Sequence, residues 1–253
     1  MAQAVDGLKT MRMLVTRPEP DAQASVDRLA ALGIEAVAAP LLARTALDFH
    51  LPDVSGFAAL AVTSTNALRA LEEKGLLAAL HHLPVYAVGD RTAYEARALG
   101  FAEVLSAGGT FERLSTMLAL ARMEGPVLYP AGKHLSGDLA QALAPHGILV
   151  VTATVYDMVA ESDFPDSTLR ALESGGFGAA LIYSRRTAEI FCRVVGQRLS
   201  AAKKRDLALL CLSENVAQPL VEQHFTRVHL ADRPDEEAMM SLALAFAREQ
   251  SGS

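Results

Sequence analysis

A series of short stretches sets hydroxyl, amide and guanidinium side chains directly after β-rich runs and before amphipathic ones. They are Thr16-Arg17-Pro18, Thr63-Ser64-Thr65-Asn66, Gly89-Asp90-Arg91-Thr92, Gly108-Gly109-Thr110, Ala131-Gly132-Lys133, Ser184-Arg185-Arg186-Thr187 and Ser213-Glu214-Asn215. Ser, Thr and Asn at such places are first of all good helix N-caps. Together they also present helix N-termini and backbone N–H groups, which attract negative charge without many fixed cations. Arg17, Arg91 and Arg185 add charge-assisted donors. The chemistry that fits this pattern is the holding of a large polyanion.

One tyrosine stands apart. Ile148 to Val159, "ILVVTATVYDMV", is mostly β-branched and apolar and has no Gly or Pro. At roughly 3.3 Å per residue it would extend about 40 Å, some twice the usual strand. Such a length suits a strand that leaves one body of the protein and enters another. Tyr156 lies near its far end.

Other chemistry is thin. His81-His82 and His134 lack metal-ligand spacing and read as surface residues. Gly108-Gly109 precedes a helix but lacks the dinucleotide fingerprint, and there is no Walker loop. No nucleophile–base set assembles from local signatures. Cys192 and Cys211 sit in apolar contexts and read as buried free thiols. Asp163 to Asp166 and Asp235 to Glu237 read as helix N-terminal charges, and Lys203-Lys204-Arg205 as a solvated helix end.

Regular alternation of strand and helix patterns positions these residues. "MLVT" from Met13 is a strand, and Asp21 to Leu32 a helix stopped by Gly33. Ile34 to Leu47 is extended and interrupted by Pro40. Phe57 to Thr63 is a strand before a helix over Ser64 to Lys74, and Pro84 to Gly89 a strand before a helix to Leu99. "AEVLSA" is a strand. Thr110 starts a helix to about Met123, "PVLYP" from Pro126 is a strand, and Ser136 to Pro145 a helix ending near Gly147.

The pattern then repeats. Phe57, Ala59 and Ser64 match Phe177, Ala179 and Ser184; Leu83, Gly89 and Ala93 match Leu207, Ser213 and Ala217. Val104, Ala107 and Glu112 match Val228, Ala231 and Glu236, while Leu14 and Gly33-Ile34 match Leu128 and Gly147-Ile148. Blocks in one order at nearly constant spacing imply two copies of one βα unit. The expected fold is therefore α/β: two doubly wound parallel-sheet domains joined by two extended crossings, with a cleft between.

The chain has 253 residues, 51% apolar and 21% charged, enough for two ordinary domains. A net charge of −6 speaks against nucleic acid as a partner. No apolar run approaches ~20 residues, so no membrane span is expected. The opening "MAQAVDGLKTM" has neither the charged start nor the apolar run of a signal peptide and reads as a loose tail. A cytoplasmic monomer is the expectation.

From Arg12 onward the chain resembles the uroporphyrinogen-III synthases. The resemblance rests on "VTRPEPDA" (Val15 to Ala22), "VTSTNAL" (Val62 to Leu68), "VGDRTA" (Val88 to Ala93), "VLYPAGKHLSGDL" (Val127 to Leu139), "VTATVYD" (Val151 to Asp157) and "LIYSRRTAEIF" (Leu181 to Phe191). It implies cyclisation of hydroxymethylbilane to uroporphyrinogen III, with loss of water and inversion of ring D, and no cofactor or metal. The substrate carries eight carboxylates. The resemblance also implies a discontinuous domain of residues 12–40 and 157–253, a second of 47–149, and crossings at 41–46 and 150–156. Tyr156 matches the tyrosine that assists loss of the hydroxyl; Ser64, Thr92 and Ser184 match cleft-lining positions. The full expected contact set is Arg17, Ser64, Asn66, Arg91, Thr92, Gly132, Lys133, Ser184, Arg185 and Ser213. Two places depart from the family pattern: Ser213-Glu214-Asn215-Val216 replaces a Gly-x-x-Thr turn, and Ala131-Gly132 replaces Arg-Gly, with Lys133 as a substitute charge. A non-catalytic two-lobed tetrapyrrole or small-molecule binding protein is the alternative.

Overall fold

The computed structural model describes residues 12–135, 137–196 and 198–251. The opening eleven residues, read above as a tail, and Ser136, read as a helix start, lie outside them.

The chain begins with β1 (Met13–Val15), α1 (Asp21–Ala31) and β2 (Ala36–Ala38). β3 (Leu42–Ala46), β4 (Ala59–Val62), α2 (Thr65–Glu73) and the short α3 (Leu77–Leu80) follow. Then come β5 (Val85–Ala87), α4 (Asp90–Ala98), β6 (Val104–Ser106), α5 (Phe111–Leu120) and β7 (Val127–Gly132). α6 (Leu139–Leu143) and a 3-10 turn lead to β8 (Val150–Ala160). The rest is α7 (Asp166–Ser174), β9 (Ala179–Ile182), α8 (Arg185–Val195), α9 (Ala201–Asp206), β10 (Ala208–Cys211), α10 (Glu214–Glu222), β11 (Val228–Leu230) and α11 (Glu236–Ser251).

These elements form two compact units. One ends at Ala43 and resumes at Val159; the other is continuous, Arg44–Met158. The first holds a five-stranded sheet ordered β2-β1-β9-β10-β11, and the second a sheet ordered β3-β8-β7-β4-β5-β6. Every strand pair whose register is described is parallel. Matching β1, β2, β9, β10 and β11 to β7, β8, β4, β5 and β6 gives one order in both sheets, the same pairing that the sequence repeat implies. Each sheet winds outward in both directions from a switch point, between β1 and β9 in one unit and β7 and β4 in the other.

Both faces of the second sheet are covered at its centre, so β4, β5 and β7 are apolar and buried throughout. Leu60 and Val62 of β4 enter a core with Leu68, Leu71 and Val85. Ala59 and Ala61 enter the opposite core with Leu114, Leu118 and Tyr129. Each fully buried Leu there contributes about 1.5–3 kcal/mol over an exposed one, which holds α2 on one face and α5 on the other. In the first unit Met13, Val15, Leu181 and Leu210 pack beneath Leu29, Met240 and Phe246.

Several expected boundaries shift. α5 stops at Leu120 because Arg122 takes a left-handed conformation, φ 43°. The helix expected over 136–145 is reduced to α6: Asp138 caps it, accepting from Gln141 N at 3.0 Å, and Pro145 tightens its end into the 3-10 turn. The long strand starts at Val150 because Ile148 N still bonds back to Leu143 O. Residues 150–156, read as a crossing, pair with β7 from Val127↔Val150 to Gly132↔Tyr156. α3 had no expectation at all.

Candidate functional site

In a parallel doubly wound sheet, ligands bind beyond the carboxyl ends of the strands at the switch point. In the second unit that point lies between β4, followed by Thr63 and Ser64, and β7, which ends at Gly132 before Lys133. Thr63 Oγ1 and Tyr129 Oη hydrogen-bond across it at 3.1 Å. Burial raises the Tyr129 phenol above its usual pKa, with Tyr156 and Asp138 adding to the rise and the Thr63 bond opposing it.

Tyr156 arrives here through a β-bulge. β8 pairs regularly with β7 up to Ala131↔Thr154, then slips so that Gly132 faces Tyr156. Strict alternation would send Tyr156 to the face occupied by Val150. The extra residue turns it instead to the face of Val155, in the core with Leu60 and Leu128. Bulges re-aim side chains in this way. Tyr156 is 8% exposed. Its ring lies over Gly132, where an added Cβ would come within 2.7 Å of Cζ and 2.9 Å of Oη. Gly132 is therefore required by the tyrosine, not by its own backbone angle.

The same edge carries the other expected residues of this unit. Ser64 is extended and caps α2, its Oγ accepting from Asn66 N at 3.2 Å. Asn66 accepts from Arg69 at 3.3 Å and directs Nδ2 at Met158 Sδ. Gly89 precedes α4 without a side-chain cap and meets the next loop closely, since a Cβ there would lie 3.3 Å from Gly109 Cα. In the first turn of α4, Arg91 is exposed and Thr92 buried. Lys133 N–H donates to the Tyr156 carbonyl at 2.9 Å, fastening the end of β7 to β8.

In the first unit the edge holds Arg17, Ser184, Arg185 and Ser213. Ser184 caps α8, its Oγ accepting from Thr187 N at 3.1 Å. Ser213 precedes α10 without a capping bond. Arg185 reaches Glu189 at 3.0 Å, Asn215 at 3.2 Å and Gln218 at 2.8 Å, tying α8 to α10. Arg17 is only 12% exposed. It donates to Glu236, to Asp21 and Ser25 at 3.2 and 3.1 Å, and stacks on Tyr183 at 4.3 Å. Two carboxylates share its charge, which argues against the expected role of Arg17 as a ligand cation.

Sequence reasoning missed the Thr63–Tyr129 pair and Asp157. The second had a visible signal, a carboxylate inside an otherwise apolar strand. The cysteines are free; Cys211 is buried, whereas Cys192 is partly exposed. Among the described residues no cluster of His, Cys, Asp and Glu could hold a metal ion, and no helix is long and apolar enough to cross a membrane.

The sheets, their switch points and the polar carboxyl edges define a two-unit, doubly wound α/β protein with polar side chains gathered at its strand ends. The model of the family described as "Uroporphyrinogen-III synthase HemD" matches residues 23–241. The chain belongs to the uroporphyrinogen-III synthase family, cyclising lyases of haem biosynthesis. No curated protein compared with it matches. Among solved structures, uroporphyrinogen-III synthetase from Helicobacter pylori is similar at 22% identity and TM-score 0.66, over 93% of this chain and 99% of that one. A mutant uroporphyrinogen III synthase from the extremely thermophilic bacterium Thermus thermophilus is similar at 18% identity and TM-score 0.56, over 95% and 99%.

Proposed function

We propose that this chain cyclises hydroxymethylbilane with Tyr156 as the acid that assists departure of the terminal hydroxyl. The observation that carries the assignment is the bulge, which sets the Tyr156 phenol against Gly132 at the switch-point end of the sheet. The C–O bond of the hydroxymethyl group breaks, the oxygen leaves as water with the phenol's proton, and a pyrrole-stabilised cation remains. The substituted carbon of ring D attacks it to give a spiro intermediate. This fragments and recloses inverted; the proton released on closure restores the phenol.

Hydroxymethylbilane also cyclises unaided, to the uninverted isomer. Most of the enzyme's task is therefore to fold the substrate so that the wrong carbon is excluded, which is positioning catalysis. Ser64, Asn66, Arg91, Thr92, Gly132 and Lys133 are proposed to contact it from one unit, and Ser184, Arg185 and Ser213 from the other. Arg17 is left out. The two units are proposed as the functional domains of a monomer acting in the cytoplasm without nucleic acid or membrane.

The test is direct. The protein is incubated with hydroxymethylbilane, the product oxidised, and isomers I and III separated. Isomer III is expected in large excess; the isomer I produced by substrate alone would leave only a binding protein.

A further inference from the structure

Asp157 follows Tyr156 in β8, and its carboxyl group is 14% exposed. Its Oδ1 is buried without a hydrogen-bond partner. Two outward-lying nitrogens stand over it: Lys133 Nζ at 3.3 Å from Oδ2 and His134 Nε2 at 3.6 Å from Oδ1. Lys133 and His134 are 63% and 59% exposed. An ordinary surface pair leaves both partners in water and contributes little. Here the carboxylate lies underneath and the nitrogens on top.

The backbone fixes that stacking, because Lys133 N–H is bonded to the Tyr156 carbonyl. Burial pushes the Asp157 carboxyl up in pKa, yet the Lys133 hydrogen bond and charge, with the Met158 N–H and His134, hold it below the usual value. Asp157 is thus a fixed negative charge beneath the loop. A lysine ammonium has three donors and spends one on Asp157. Two nitrogens that reach one carboxyl group are also close enough to share another on their solvent side.

We propose that Asp157 is a positioning residue that holds Lys133 and His134 as a two-nitrogen subsite for one carboxylate of the substrate. The proposal rests on the reading that this sheet edge receives a polycarboxylate. Asp157 does not touch the ligand; it acts through the two side chains above it.

The test measures calorimetric affinity for uroporphyrin III, the oxidised product, beside the kinetics with hydroxymethylbilane. Lys133→Gln and His134→Gln should each weaken uroporphyrin binding and raise KM about three- to tenfold, the range of one charge-assisted contact at an exposed site. Turnover should stay within about twofold. Asp157→Asn should weaken binding at least as much as Lys133→Gln, and adding it to the Lys133→Gln/His134→Gln double variant should cost nothing further, because Asp157 acts only through those two side chains. Additive losses, or tighter binding by Asp157→Asn, would overturn the positioning role. Lys133→Gln and His134→Gln alter exposed side chains and decide the subsite even where Asp157→Asn does not fold: unchanged affinity and KM in both sinks it. A wild-type protein that binds uroporphyrin III but forms no isomer III overturns the proposed reaction and leaves the subsite standing.

Discussion

Tyr156 and Gly132 compete for one volume, and that decides what can replace each. Tyr156→Phe keeps the ring over Gly132 and removes only the hydroxyl. Turnover is expected to fall by roughly 10²-fold or somewhat less, the usual range for a general acid, with product drifting toward isomer I and melting temperature nearly unchanged. Near-normal turnover with pure isomer III would reduce Tyr156 to packing. Gly132→Ala does the opposite: its Cβ would sit 2.7 Å from Cζ, so ring or strand must move. Overpacking of this kind costs about 1–3 kcal/mol, seen as a lower melting temperature together with lost turnover; an alanine variant as stable as wild type would show that the ring yields freely. Tyr156 stood out in the sequence because it lies near the far end of a long, mostly apolar strand. Its contact with Gly132 was not, because the bulge is a matter of register between two strands and one strand's pattern does not record it.

The arginines at strand ends looked alike in sequence, and helices separate them. Arg17 lies between β1 and α1, yet its main partner is Glu236 at the start of α11, 219 residues away. Ser25 and Tyr183 bond the same carboxylate. Arg17→Ala would remove the guanidinium that Glu236 and Asp21 share and loosen α11 from α1. Thermal or denaturant unfolding should show a loss of about 1–3 kcal/mol with KM unchanged; a raised KM at full stability would restore Arg17 to the contact set. Arg185→Ala should behave in the reverse manner. It removes a cation held by two neutral amides and an exposed Glu189, so KM should rise more than turnover falls. If turnover drops and KM holds, Arg185 acts in the transition state instead. The strand ends themselves were readable, since most junctions carry a capping Ser or Thr or a glycine. The exact helix ends of α5 and α6 depended on Arg122 and Asp138, whose local conformations carry no periodic signal.

The repeat was readable across the whole chain because both units bury both sheet faces and so need the same apolar runs in the same order. Their titration is where the units differ. Burial raises three groups of the first unit: Tyr183 to about 12, helped by Glu236, Cys192 to about 11 and Cys211 to about 12. A raised folded-state pKa means that the native protein binds the proton more tightly than the unfolded chain. The corresponding stability is complete below the unfolded thiol value, about 8.5–9, and is lost as pH climbs through 11 to 12. In the second unit burial also raises Tyr86 and Tyr129, both of which begin to titrate only near 10 when unfolded. The unit with the thiols should therefore weaken first. Melting temperature is expected to stay level from neutral pH to about 9 and then fall. Brief proteolysis at about pH 10 should cut within 159–253 before 44–158. In native protein at neutral pH Cys211 should resist alkylation, because it is buried and protonated and the thiolate is the nucleophile; both thiols should react once the chain is unfolded. Early cleavage in 44–158, or rapid alkylation of Cys211 in the native protein, would show that burial of these groups does not govern the alkaline limit.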